Sequence, residues 1–555
     1  MINCKQCNTG FEITDLDRKF YDRISPVIGG KKFEIPEPTL CPQCRSQRRM
    51  IWRAELNLFK RKSDFSGKDI ISMYPPEADC VVYGHDEWWT DEWDPMEYGR
   101  DFDFNCPFFE QFDELMKVVP LQSLSKQGNE NCDYINSASW NKNCYLIAGA
   151  NYCEDCYYGN FLNTCKNCLD NNFLDHCEIC YECVDSKDCY NVKYSFNCHN
   201  CSDSYFLYNC RNCRNCFGSV NLAGKEYVYL NEQLAKEGYK KRLNNLQLDR
   251  RSRVDEASTF FEKHRLKYPY KYMLGEQNEN VTGNGINQCR RTYECFDVSN
   301  LEDCKYCAWF HQSKNSMDIY AWGFPVDESY ECMEVGDNSY HALFSVTSYD
   351  GTNVMYSYYS MNSQDIFGCI ALRHKRYCIL NKQYSKEEYE KLIQKIIEHM
   401  QRTGEWGEFF PMRTSPLAYN KTVAQDYMPI NKEEAIKLGA KWNDEPPIQS
   451  PKEKVEIPDS ITDVDKSICD KILTCEKTGK PYKIIPQEFK FYKENNIPIP
   501  AYCFDVRHKN RLTRRNPRKL WDRKCAKCGI AIRTSYAPDR PEKVYCEQCY
   551  LKEVY

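Results

Sequence analysis

At 555 residues, with 42% hydrophobic and 14% aromatic side chains, the chain is too long for one ordinary core and too apolar to stay disordered, so several folded domains are expected. A net charge of -5 excludes a global pull toward nucleic acid or membrane, and no apolar run reaches the roughly 20 residues of a membrane span. A CxxC pair at the very start leaves no room for a signal peptide, so a cytoplasmic location is expected, where the 35 cysteines stay reduced.

Residues 1–100 read as a tandem zinc-ribbon module. Cys4-x2-Cys7, Phe20-Tyr21 and Cys41-x2-Cys44 supply one four-thiolate set, and Ser63, Ser66, Gly84 and Glu87 stand where a second would be. A connector over 101–128 carries the helical segment FFEQFDELMKVV. From Asn129 the chain repeats every twelve residues, with cysteine at Cys132, Cys144, Cys156, Cys168, Cys180, Cys189, Cys201 and Cys213, often followed by an aromatic and surrounded by asparagine. So short a period means stacked strands and turns, hence a β-solenoid array over 129–224. CEICYECVD reads as a shortened unit of nine, and a rung of one unit or of two is left open. A helical insertion follows over 225–277.

The array then recurs over 278–372. Phe217-Gly218, Leu230-Asn231 and Gln233 reappear as Phe367-Gly368, Leu380-Asn381 and Gln383, while Cys295, Cys304 and Cys332 hold the cysteine place. Ser313, Ser316 and Ser363 stand where the first array has cysteines, which a packing role tolerates and a ligand role does not. A helical segment over 373–443 includes 385–402, with Ser385 and Glu388 as a capping box. A Pro- and charge-rich linker spans 444–465.

Residues 466–555 repeat the first module: Cys41 onward aligns with Cys503 onward, placing Arg45, Arg49 and Arg53 on Arg507, Arg511 and Arg515. Here the first set keeps only Cys475 and Cys503, with Thr478 and Val506 in the other places, and the second is complete as Cys525, Cys528, Cys546 and Cys549. The expected fold class is thus multidomain and mainly β: a duplicated cysteine-rich β-solenoid with helical insertions between tandem zinc-ribbon modules.

Four thiolates from two CxxC turns suit tetrahedral Zn2+ and leave no open position, so two structural zinc ions per chain are expected. Cys475 and Cys503, joined by Cys469 or His508, are candidates for a third metal. Two basic runs flank the knuckles: Arg45, Arg48, Arg49 and Arg53, and Arg507, Arg511, Arg514, Arg515, Arg518 and Lys519; local patches of this kind fit a phosphate backbone. Trp88, Trp89 and Trp93 read chiefly as core. No phosphate loop, HExxH or nucleophile elbow occurs, so no enzyme is expected and no small-molecule substrate is inferred.

The stretches MINCKQCNTGFEITDLDRKFYD … TLCPQCRSQRRM and CEKTGKPYKIIPQEFKFYKENNIPIP … RHKNRLTRRNPRKLWDRKCAKCG … YAPDRPEKVYCEQCYLKEVY resemble those of large cysteine-rich zinc-ribbon (treble-clef) proteins of candidate-phyla-radiation bacteria. FGCIALRHKRYCILNKQYSKEEYEKL, GEFFP and SPLAYN are similar to segments of the same proteins. The resemblance implies zinc at the two complete sets and no activity; Thr478 and Val506 depart from the pattern. The function expected is a non-enzymatic scaffold that binds RNA or a ribonucleoprotein through its basic segments. A protein–protein scaffold using the solenoid faces is the alternative, and a metal-storage or thiol-redox protein a third.

Overall fold

A computed structural model describes residues 1–323, 329–336, 338–451 and 454–554. The chain is a duplicated β-solenoid with helical insertions, bounded at each end by a cysteine-cluster module. Among the described residues no helix is long and apolar enough to cross a membrane.

The solenoid is built on a period of three inside the period of twelve. Through both arrays every third residue takes a left-handed backbone conformation, as at Asn167 (φ 49°), Asp170 (54°), Phe173 (61°) and His176 (50°). Each such residue turns the chain through one corner, and four corners close a rung. Parallel pairing then joins each residue to the one twelve later, as in Tyr145↔Tyr157 and Tyr157↔Leu169. Side chains at the left-handed corner pay a steric cost that Asn and Asp pay least, which explains the asparagines of the repeat.

The residue directly after each corner points into the lumen, and these lumen residues form a single series at steps of three: Cys144, Ile147, Ala150, Cys153, Cys156 and onward to Val228. The CxxC pairs of the arrays are therefore neighbouring lumen positions, not metal knuckles. Each thiol donates along the coil to backbone carbonyls, Cys156 to Glu154 (3.4 Å) and Cys165 (3.3 Å). Serines replace them in kind: Ser195 Oγ donates to the Lys193 carbonyl at 2.9 Å and accepts from Leu207 N–H at 3.0 Å. Ser313, Ser316 and Ser363 are buried at lumen positions of the second array. Burial pushes the thiols of Cys156, Cys168, Cys198 and Cys210 well above the ordinary range, which keeps them protonated and unreactive.

The nine-residue unit is not a shortened rung. Glu178↔Tyr190 and Tyr181↔Lys193 keep the step of twelve through it. Nine is three triplets, so the cysteine pattern moves round by one side while the coil continues unbroken. One rung is one twelve-residue unit; among the described residues the step is eleven at the start of the second array, Gly275↔Ile286 and Glu279↔Arg290, and thirteen around Cys332, Ile319↔Cys332 and Met333↔Val346.

Both arrays end alike. Asn231 Oδ1 accepts from Val220 N–H and Asn381 Oδ1 from Ile370 N–H, each at 2.8 Å, beside the antiparallel hairpins Glu226–Tyr229/Glu232–Gln233 and Arg376–Ile379/Lys382–Gln383. These hairpins cover the open edge of the sheet, and helices follow at Lys236–Asn245, Arg251–Arg265 and Lys386–Thr403, the last with the Ser385–Glu388 capping box. The expected connector helix is Phe108–Val118.

The arrays lie side by side and run in opposite directions: Arg211 pairs with Glu276, Arg515 bridges Asp185 and Asp297, and Phe161 packs on Trp309. The first module shares its core with the second array, Tyr21 against Tyr330 and Trp52 against Tyr358. The last module shares its core with the first array, Tyr492 against Tyr181 and Tyr536 beside Tyr208. Trp88 and Trp93 are core and Trp89 is 43% exposed, with the Arg373 guanidinium over all three rings.

A lumen position that holds a small thiol donating to two carbonyls, as Cys180 does to Glu178 and Cys189, predicts the outcome of two substitutions. Cys180→Ser is expected to lower stability by about 1 kcal/mol, within the range of a swapped buried hydrogen bond. Cys180→Phe, which overfills the coil, is expected to cost at least about 3 kcal/mol or to prevent folding. Thermal unfolding of both variants decides; equal losses would remove the narrow-lumen account.

Candidate metal centres

Four knuckles share one backbone turn, whatever residues they carry. Cys4, Ser63, Cys475 and Cys525 each donate their N–H to the carbonyl five residues on, at 2.8–3.0 Å, and each accepts from the N–H four residues on, at 2.9 Å. The last turn residue is left-handed: Asn8 (φ 58°), Gly67 (73°), Gly479 (71°) and Gly529 (77°). A short helix opposite each knuckle begins at Cys41, Gly84, Cys503 or Cys546.

Two knuckles carry complete sets. The sulfurs of Cys4, Cys7, Cys41 and Cys44 lie within 4.8 Å of one another, as do those of Cys525, Cys528, Cys546 and Cys549. Cys7 and Cys41 are 3.6 Å apart and Cys528 and Cys546 3.8 Å. A zinc tetrahedron with bonds of about 2.3 Å needs sulfurs about 3.8 Å apart, so both sets are placed to coordinate such an ion. The N-terminus of helix Pro42–Met50 adds a positive dipole end beside Cys41, and the neighbouring Cys44 thiol pulls Cys41 down to about 7. At Cys525 burial pushes the other way, yet the backbone N–H groups of Cys528 and Cys546 draw it down to about 6. Thiolates are what zinc requires.

The incomplete sets are filled by other chemistry. In the first module the hydroxyls of Ser63 and Ser66 both donate to the Glu87 carboxylate, which also accepts from Gly84 N–H at 2.9 Å. A carboxylate thus takes the centre that an ion would occupy. Burial alone would raise Glu87, but these donors hold it below the usual carboxylate range. In the last module Val506 closes an apolar plug with Cys475 and Cys503. Neither Cys469 nor His508 completes a third metal set among the described residues. His508 is buried against Phe504 with Nδ1 3.4 Å from Asn172, and burial pulls it down to about 3. Cys469 packs in a separate core on the first array.

The basic runs do not form an exposed face, contrary to the sequence expectation for a nucleic-acid surface. Arg45 and Arg49 lie on helix Pro42–Met50 with Arg53 just beyond its end, and Arg507 and Arg511 lie on helix Phe504–Leu512 with Arg515 just beyond; both stripes point into an acidic ladder on a coil. Arg507 Nε and Arg511 Nη1 reach Asp170 at 2.9 and 3.0 Å, Arg511 also reaches Glu182 at 2.8 Å, and Arg515 reaches Asp185 at 2.9 Å. On the other side Arg45 and Arg49 reach Asp318 at 2.8 and 3.0 Å, Arg48 reaches Glu331 at 2.8 Å, and Arg53 pairs with Glu55 and Glu334. Arg514 lies 3.6 Å from Glu182, and Arg518 pairs with Asp297 at 3.0 Å while stacking on Tyr320 and Tyr427. Of the ten residues, Lys519 alone is exposed. The acids were missed because they look like unremarkable repeat residues. Their signal was there: Leu-Asp and Tyr-Glu-Cys-Val-Asp at 169–170 and 181–185 recur as Met-Asp and Tyr-Glu-Cys-Met-Glu at 317–318 and 330–334, with all six acids at left-handed corners.

A scan against models of known protein families finds no match, and a search of curated proteins finds no similar one. The site's chemistry therefore rests on its own geometry: two cysteine clusters able to coordinate metal, joined to the coils by buried ion pairs.

Two outcomes follow from that geometry. Replacing Ser63, Ser66, Gly84 and Glu87 together by cysteine, on a knuckle turn already formed, is expected to add one zinc per chain, read by elemental analysis. Asp170→Asn takes one carboxylate from two buried guanidinium groups and is expected to cost about 3 kcal/mol, whereas Lys527→Ala, which breaks an exposed pair, is expected to stay within about 0.5 kcal/mol. Denaturant titration separates them.

Proposed function

We propose that the protein is a non-enzymatic zinc-binding scaffold, of the kind its end motifs resemble, in which two zinc ions staple the end modules and the coils present their outer faces to a protein partner. The observation that carries this reading is the inward direction of both arginine stripes. Charge that would otherwise attract a polyanion is spent on fixing each module against the coil of the opposite half. The closed four-cysteine sets support a structural metal, since neither leaves a position for water or substrate.

RNA is a second reading, and it rests on different residues from those the sequence singled out. Lys519, Lys524, Lys543 and Lys552 of the last module are exposed, and among the described residues none forms a salt bridge. Lys519 lies over the Trp521 ring at 5.3 Å, a pairing that suits a stacked base beside a phosphate.

Metal analysis of the purified chain is expected to give two zinc ions, and chelation to unfold the modules before the coils. Partners captured by the intact chain are expected to survive nuclease treatment. Capture that nuclease abolishes, and that is lost when the four lysines become glutamate, would replace the protein-scaffold reading by the RNA one.

A further inference from the structure

The seam between the two arrays opens into a cleft of about 960 Å³, with Arg515, Tyr536 and Arg540 of the last module in its wall. Neither the metal centres nor the core uses this space. The first array lines it with one column, Asn151, Asn163, Asp175, Lys187, His199 and Arg211, one residue per rung. Five steps of about 4.8 Å make a trough about 24 Å long.

The charges of the trough are already matched. Lys187 pairs with Asp175 at 2.8 Å, Arg211 with Glu276, Arg265 with Glu262, Arg514 with Glu182, Arg515 with Asp185, Arg518 with Asp297 and Arg540 with Glu542. His311 shares a hydrogen bond of 2.7 Å with Ser299, and burial pulls the half-buried His199 down to about 4. Each lysine and arginine of the trough therefore has an acidic partner, and a phosphate chain would find no unpaired cation in it.

What remains free is amide and aromatic surface. The side chains of Asn151, Asn300 and Gln312 line the cleft with no hydrogen-bond partner among the described residues, and Asn300 and Gln312 are exposed. Tyr152 stands 62% exposed at the rim. Trp140, at the same corner one rung beyond the lined end of the cleft, is 49% exposed and lies on Gly128, where a Cβ would come within 2.2 Å of the indole. Only glycine admits the ring there. The two aromatic faces thus sit one rung apart, a step close to the length of one pyranose unit.

We propose that this trough binds a neutral linear oligosaccharide, its hydroxyls on Asn151, Asn300 and Gln312 and its sugar faces on Tyr152 and Trp140. An amide both donates and accepts, as a hydroxyl does, and an aromatic ring covers the apolar face of a pyranose. Successive rungs then meet successive sugars. The assignment is independent of the zinc scaffold and of any protein partner.

The test titrates the zinc-loaded full chain with cellohexaose, maltohexaose, xylohexaose and chitohexaose, following tryptophan fluorescence and heat. At least one is expected to bind with Kd of about 1 mM or tighter, without dependence on salt. The double variant Tyr152→Ala/Gln312→Ala changes exposed side chains, and unchanged zinc content and melting will verify its fold. It is expected to weaken binding at least about 10-fold, roughly 1.4 kcal/mol. Absence of binding by all four sugars, or binding that the double variant leaves intact, overturns the assignment. So does salt-sensitive binding of decauridylate that the same variant abolishes.

Discussion

A lumen that takes one side chain from every third residue is the constraint from which the rest of the chain's organisation follows. It dictates the left-handed corner at the same spacing, since three residues leave no room for a longer bend. The corners in turn favour Asn and Asp. It also dictates CxxC, because two successive lumen positions are three apart and cysteine is small, apolar enough to bury and able to donate to the carbonyls of its own coil. A rung of twelve is four such triplets. Any shift of the cysteine pattern by a multiple of three leaves the coil intact, and this is how CEICYECVD passes through without a defect.

The same spacing produces two unrelated uses of cysteine in one chain. In the terminal modules CxxC lies on a tight turn facing a second pair, and four sulfurs converge within 4.8 Å. In the arrays CxxC lies along a coil, and the sulfurs face carbonyls. A regular expression cannot separate the two; the residues around it can. The knuckles carry a turn residue able to adopt positive φ directly after the pair, as Asn8 and Gly529 do, and lie far from the twelve-residue period.

Much of the architecture was legible because it rests on local periodicity. The twelve-residue repeat, the duplication of its end at Phe217-Gly218 and Phe367-Gly368, the Ser385 cap and both complete cysteine sets are patterns of sequence spacing, and the fold keeps each of them. The arginines were misread because exposure is not local. Arg511 at helical spacing from Arg507 and Arg515 describes a stripe, but only the partner across that stripe distinguishes a solvated face from a buried clamp, and Asp170 and Glu182 are more than 300 residues away. The cleft was invisible for the same reason, since its two walls come from Asn151 and from Asn300 on different arrays.

The crossed docking gives the duplication a physical meaning. Each module packs on the array of the other half, with the same three arginines meeting the same three acids: Arg45, Arg49 and Arg53 on Asp318, Glu331 and Glu334; Arg507, Arg511 and Arg515 on Asp170, Glu182 and Asp185. Such ion pairs add little net stability once the cost of dehydrating them is counted, but a wrong register would strand charges in a core, and that penalty is large. They therefore specify where each module sits. With register fixed in this way and the knuckle turn fixed by its own backbone bonds, the ion at any one knuckle becomes replaceable. Glu87 with two serines, and Val506 with two cysteines, hold their turns as the intact sets do. Complete cysteine sets remain at Cys4 and Cys525, and the outer residue of the pair is open to solvent at all four knuckles, as Cys7, Ser66, Thr478 and Cys528.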